Sequence, residues 1–226
     1  GIDGLGYGES LGRLINDEKL DVPSARELKD LIKKFPNDEN TGARVELLHS
    51  LINGYSEEGV YALQHNWKKA SVLASAYRHK IPLTVHPGIG YDIISNHPMF
   101  NGASIGRAAQ VDFQKFASSV DGLDGGVVLS VGSAIMGPQV FEKAISFVNH
   151  LRLSEGKKIV RDHSLFVVDL QDGGEWDWSK GEPPITNPAY YLRFCKSYAR
   201  MGGDMSYLQC DNITFMQHLR QALLEN

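Results

Sequence analysis

The side chains best suited to chemistry are carboxylates that stand at or just past the ends of short apolar runs: Asp92, Asp169, Asp172, Glu175, Asp177 and Asp211. Carboxylates gathered in one place suit a cationic substrate, such as a polyamine, or a divalent ion. The stretch Lys80 to Asp92, K-I-P-L-T-V-H-P-G-I-G-Y-D, shows the pattern in full. Ile81 to Val85 is an apolar and β-branched run with the length of one buried strand. It ends at His86-Pro87. Gly88 and Gly90 then give a loop in which backbone can approach a ligand, and Asp92 closes it. His86 is a second substrate-binding candidate there. A tight strand-to-helix connection would use the same Pro and Gly residues.

The other candidates follow the same logic. Gly132-Ser133-Ala134 leads into a helix, whose free N–H groups and dipole could hold a phosphate or another anion; a purely structural turn has the same sequence. Trp176 and Trp178 offer ring faces to a cation, or a lid to the core. Asp211-Asn212 stands at a strand end, and Asp211 is also a routine N-cap. His86, Asp92 and His97 carry metal-type donors, but Pro87 and Pro98 constrain both histidines, so no metal site is expected. The chain has no G-x-S-x-G elbow, Walker loop or zinc-type helix. Its opening run, G-I-D-G-L-G-Y-G-E-S, looks superficially like a dinucleotide fingerprint, but no strand precedes it.

The elements that must position these residues alternate. Helical patterns are predicted from Ser10 to Asn16, from Pro23 to Lys34, from Val45 to Asn53 and over Ser56 to Lys80. They form a helical lead-in, residues 1–80, within the same domain as a core at 81–226. Strands are predicted at 82–86, Val127 to Val131, Leu165 to Leu170 and Met205 to Cys210, and helices over 104–121, 138–152, 188–201 and Asp211 to Leu224. This alternation predicts right-handed βαβ units and an α/β, Rossmann-like, three-layer fold with a mostly parallel sheet covered on both faces. With four parallel strands, one edge would gather His86, Gly88, Gly90, Asp92, Gly132, Ser133, Asp169, Asp172, Glu175, Trp176, Asp211 and Asn212.

Composition sets outer limits. A chain of 226 residues with 42% hydrophobic content can bury a substantial core. A net charge of −4 with scattered Lys and Arg argues against a nucleic-acid partner. No apolar run reaches membrane-spanning length, and no charged-then-apolar leader is visible. Cys195 and Cys210 lack metal-type spacing and suit a reducing compartment, so the expected location is cytoplasmic.

The stretch Ser71 to Ile94, S-V-L-A-S-A-Y-R-H-K-I-P-L-T-V-H-P-G-I-G-Y-D-I-I, resembles the deoxyhypusine synthase family. That family has a Ser-Val-Leu helix with Tyr and basic residues, an Ile-Pro, an apolar strand, a Pro, a glycine-containing loop and an Asp followed by two apolar residues. The likeness continues more weakly through Gly126 to Ser133, Asp169 to Pro184 and Cys210-Asp211-Asn212. It implies a Rossmann-like NAD-binding fold, with NAD taking a hydride from spermidine and a lysine carrying the aminobutyl group as an imine. By position that lysine is Lys196, in Arg193-Phe194-Cys195-Lys196, while Lys180 keeps a Trp-x-Lys spacing but sits earlier. If NAD binds, the candidate contacts at the strand-end edge are Gly88, Gly90, Gly132, Ser133 and Asn212. The candidates for the amine at the same edge are Asp92, His86, Asp169, Asp172, Glu175, Trp176 and Asp211. The resemblance also implies a homo-oligomer, a tetramer. Where the family has Lys-His-His after its Gly-rich turn, this chain has Met136-Gly137-Pro138, so no titrating group stands there. The alternatives are a non-catalytic binding or assembly protein that kept the fold, and a sugar-phosphate-binding α/β protein with Gly132-Ser133 as its cradle.

Overall fold

The computed structural model describes residues 2–133 and 135–225, and its elements fall into two units, 1–116 and 117–226. The sequence predicts a lead-in and a core that meet at residue 80 within one domain. Ala134 lies outside the described residues.

The first unit contains α1 (Tyr7–Asp17), β1 (Lys19–Val22), α2 (Ala25–Lys34), α3 (Thr41–Ile52), β2 (Gly59–Ala62), α4 (Val72–His79) and most of α5 (Gly102–Asp121). Ser24 and Glu27 form a reciprocal capping box that starts α2, which packs on α3. Ser71 caps α4, and Lys80 ends it in the left-handed region. Glycine sets how α1 packs. A Cβ on Gly8 would stand 2.1 Å from the Leu83 carbonyl oxygen, and one on Gly12 2.6 Å from that of Leu73. The two glycines lie one turn apart, so α1 meets α4 and the 81–85 segment at backbone distance. Gly8 and Gly12 are what permit that close packing.

Two expected elements differ here. The stretch from Ser56 to Lys80 is not all helix: β2 pairs antiparallel with β1, from Lys19↔Ala62 to Val22↔Gly59. Gly59 at φ 140° cannot be helical, and Val60 and Tyr61 favour extended backbone. Residues 82–86 form no strand. Pro82 and Pro87 remove two backbone donors, and the Val85 N–H is taken by the Asp112 carboxylate (2.9 Å) instead of a neighbouring strand.

The second unit contains β3 (Val127–Val131), α6 (Met136–Ser154), β4 (Ser164–Asp169), α7 (Arg193–Ala199), β5 (Asp204–Gln209) and α8 (Asn212–Glu225). The strands form one parallel sheet in the order β3-β4-β5, with Val128↔Leu165↔Met205 and Ser130↔Val167↔Tyr207 in register. Partners in register share a face. On that face Tyr198 of α7 donates its hydroxyl hydrogen to Ser130 Oγ (3.1 Å), and Phe194 meets the Tyr207 ring. Phe141 of α6 packs beside Tyr198 and His163. The opposite face carries Val127, Leu129 and Leu208, all exposed. The α/β class and the parallel sheet are therefore as expected, and this second face buries Val168 of β4 while leaving those flanking residues of β3 and β5 exposed. The predicted helix 188–201 is split, with a 3-10 turn at Pro188–Tyr191 before α7. No helix among the described residues is long and apolar enough to cross a membrane.

Candidate functional site

The edge at the carboxyl ends of β3, β4 and β5 is where the second unit collects its candidate residues. β3 runs into Gly132, at φ 74°, where a Cβ would stand 2.5 Å from Asn212 Nδ2. Only glycine lets the start of α8 approach the β3 turn this closely. Ser133 Oγ accepts the Gly137 N–H at 2.7 Å and closes the first turn of α6. β4 ends at Asp169, whose carbonyl accepts the Cys210 N–H (3.0 Å) and whose Oδ1 accepts the Gln171 N–H (3.1 Å). Asp172 Oδ1 accepts the Gly174 N–H at 2.8 Å. Asp211 caps α8 by accepting the Thr214 N–H (3.0 Å) and hydroxyl (3.2 Å). The Thr214 N–H, first, holds the Asp211 carboxyl below the usual carboxylate range.

Asp169, Asp172 and Asp211 make no ion pair among the described residues. Their field reaches neighbouring groups: burial first, then Asp169, pushes the Cys195 thiol and the Tyr207 phenol up. Glu175 sits in the left-handed region at φ 48° and is exposed. Trp176 donates its indole N–H to the Gly181 carbonyl (3.0 Å), and Trp178 is buried. Trp178 therefore acts as a lid to the core. Lys180 is exposed and pairs with Asp177.

Lys196 points its Nζ at Glu182 Oε1 (2.8 Å) and lies over the Tyr190 ring, 3.5 Å from its centroid.

His86, Gly88, Gly90 and Asp92 belong to the first unit, and with no strand at 82–86 they are not part of a four-strand edge. There the Gly88 N–H donates to Asp92 Oδ2, and the Tyr91 ring lies against Gly88. Gly90 holds φ 102°. The His86 ring meets Phe116 edge-on at 5.3 Å, with Nε2 3.1 Å from Thr84 Oγ1. Burial pushes its pKa down. Asp92 is thus a loop lock. His97, which also lies in this unit, lines a groove of about 300 Å³ with Leu47, Tyr55, Ile94 and Phe100. No three His, Cys, Asp or Glu side chains among the described residues gather as a metal-binding set.

The fit of NAD can be tested at the two glycine-rich helix starts, since a pyrophosphate needs open space and free N–H groups there. At α6 the Gly137 N–H is taken by Ser133, Pro138 has none, and Asn212 fills the space beside Gly132. At α1 the buried Asp112 carboxylate already accepts the Gly8 N–H (2.9 Å) and lies against Gly6. Neither start fits the dinucleotide. Asp112 is the residue the motifs missed; its signal is a lone carboxylate in line with Ala108 and Phe116 at helical spacing. Comparisons with family models, with curated proteins and with solved structures find no match to this chain.

Proposed function

We propose that this chain binds a small amine or polyamine cation at the carboxyl-terminal edge of its parallel sheet, with Asp169, Asp172 and Asp211 as counter-charges. One observation carries the reading: these carboxylates each order their own turn through backbone N–H donors, and none has a cationic partner among the described residues. A multivalent ammonium would relieve that unbalanced charge. The resemblance to deoxyhypusine synthases supports the same ligand class and a homo-oligomer. It also implies NAD and group transfer, but the glycine-rich helix starts do not fit the dinucleotide, and no reaction step is built on it. Met136-Gly137-Pro138 leaves that turn without a titrating group, which favours a binding protein over an enzyme.

Calorimetric titration with spermidine tests the reading. Saturable, salt-sensitive binding is expected, weakened about five-fold by Asp211→Asn or Asp169→Asn, in line with the loss of one exposed charge contact. An unchanged affinity in both variants would remove the edge as the site. Saturable NAD binding in a parallel titration would overturn the misfit read at the two helix starts. Light scattering across concentration tests the oligomer.

A further inference from the structure

The strand-end loop after β4, residues 170–187, carries Asp172 and is acidic, glycine-rich and without regular strands or α-helix. Such a segment needs ties to keep a fixed shape. Its first half is tied to β5, where the Tyr207 hydroxyl donates to the Gln171 carbonyl (2.7 Å). Its last residue is tied back to its first half by Asn187 Nδ2, which donates to the Gly174 carbonyl (3.1 Å). Its second half is tied by charge. Glu182 bridges two cations, with Oε1 on Lys196 (2.8 Å) and Oε2 on Arg200 Nη2 (3.0 Å).

The two cations are unequal. The Arg200 side chain is 72% exposed, whereas that of Lys196 is 14% exposed and lies over the Tyr190 ring. A desolvated ammonium between a carboxylate and an aromatic face is a strong, directional tie, while an exposed pair contributes little. Tyr190 belongs to the turn that follows the loop, so Lys196 grips the loop through Glu182 and its exit through Tyr190.

We propose that Lys196 is a positioning residue: with Glu182 and Tyr190 it latches the 170–187 loop to α7 and so holds Asp172 in place for a cationic amine. This rests on the amine-binding reading for its ligand, but not for the latch itself. The lysine keeps its charge and forms no covalent bond to the ligand.

The experiment compares wild type with Lys196→Ala, Lys196→Arg, Glu182→Gln and Asp211→Asn, reading hydrogen exchange over 170–187 and spermidine affinity. Lys196→Ala and Glu182→Gln should speed loop exchange and weaken spermidine about five-fold. Lys196→Arg, which keeps a cation able to pair with Glu182 and stack on Tyr190, should restore both. Asp211→Asn should weaken spermidine with loop exchange unchanged. Loop exchange in Lys196→Ala equal to wild type would overturn the latch. Failure of wild type to bind spermidine would overturn the positioning role and the amine reading together. Faster loop exchange in Lys196→Ala would then still establish the latch, so the two failures are distinguishable.

Discussion

Asp112 shows how one residue can decide a local arrangement. It is fully buried on α5, and one oxygen accepts from both Gly8 and Val85 at 2.9 Å, while its other oxygen has no hydrogen-bond partner. The positive end of α1 supports this charge, as an anion at a helix start does. Removing the carboxylate leaves two inward-facing N–H groups unsatisfied. Asp112→Ala should therefore lower unfolding stability by about 3 kcal/mol, measured as a reduced denaturant midpoint. A loss below about 1 kcal/mol would mean that water replaces the carboxylate. Spermidine affinity should be unchanged in the same variant, since the proposed amine site uses second-unit carboxylates.

At the scale of elements, the glycines of α1 and α5 make opposite predictions. A methyl on Gly8 would collide with the Leu83 carbonyl, whereas one on Gly106 meets nothing within 4 Å. Gly8→Ala should cost at least about 2 kcal/mol through forced displacement of α1, while Gly106→Ala should stabilise α5 by about 1 kcal/mol from helix propensity alone. Thermal melts of the two variants should move in opposite directions, and equal shifts would refute the packing account of α1. These glycines also show what was legible in the sequence. β3, β4, β5, α2, α5, α6 and α8 were readable within a few residues because apolar periodicity and caps dominate there. The 82–86 segment was not, because its two prolines and a side chain 27 residues away decide its hydrogen bonding. The carboxylates of the second unit could be placed from strand ends alone. The partners of Lys196 could not, because Glu182 lies across a loop, and no spacing rule links a strand-end loop to the next helix.

Across the whole molecule, the titrating groups predict a two-stage response to acid. His86 in the first unit and His163 in the second are both held below the ordinary imidazole value, by burial first, with Asp112 opposing in one case and Asp124, Asp162 and Asp204 in the other. Both ring nitrogens of His163 are buried without a hydrogen-bond partner among the described residues. A folded pKa below the unfolded value means that the unfolded chain binds more protons between the two. The stability these histidines contribute is thus complete above about pH 6.5 and is lost as pH falls below it. The carboxylates of Glu18 (chiefly the Lys68 contact), Asp124 (chiefly Arg152), Glu182 (chiefly Lys196) and Asp211 (chiefly the Thr214 N–H) are also lowered. Their contribution is present above about pH 4.5 and disappears below it, so it adds to the histidine loss in the same direction. Melting temperature should accordingly be level near neutral pH, decline as pH drops past about 6.5, and fall more steeply below about 4.5. His163→Leu removes the unpartnered nitrogens and keeps an apolar side chain, so it should flatten the first decline for the second unit while leaving the second decline intact. A melting temperature that stays constant from about pH 7 to pH 5 in wild type would show that neither imidazole is linked to folding.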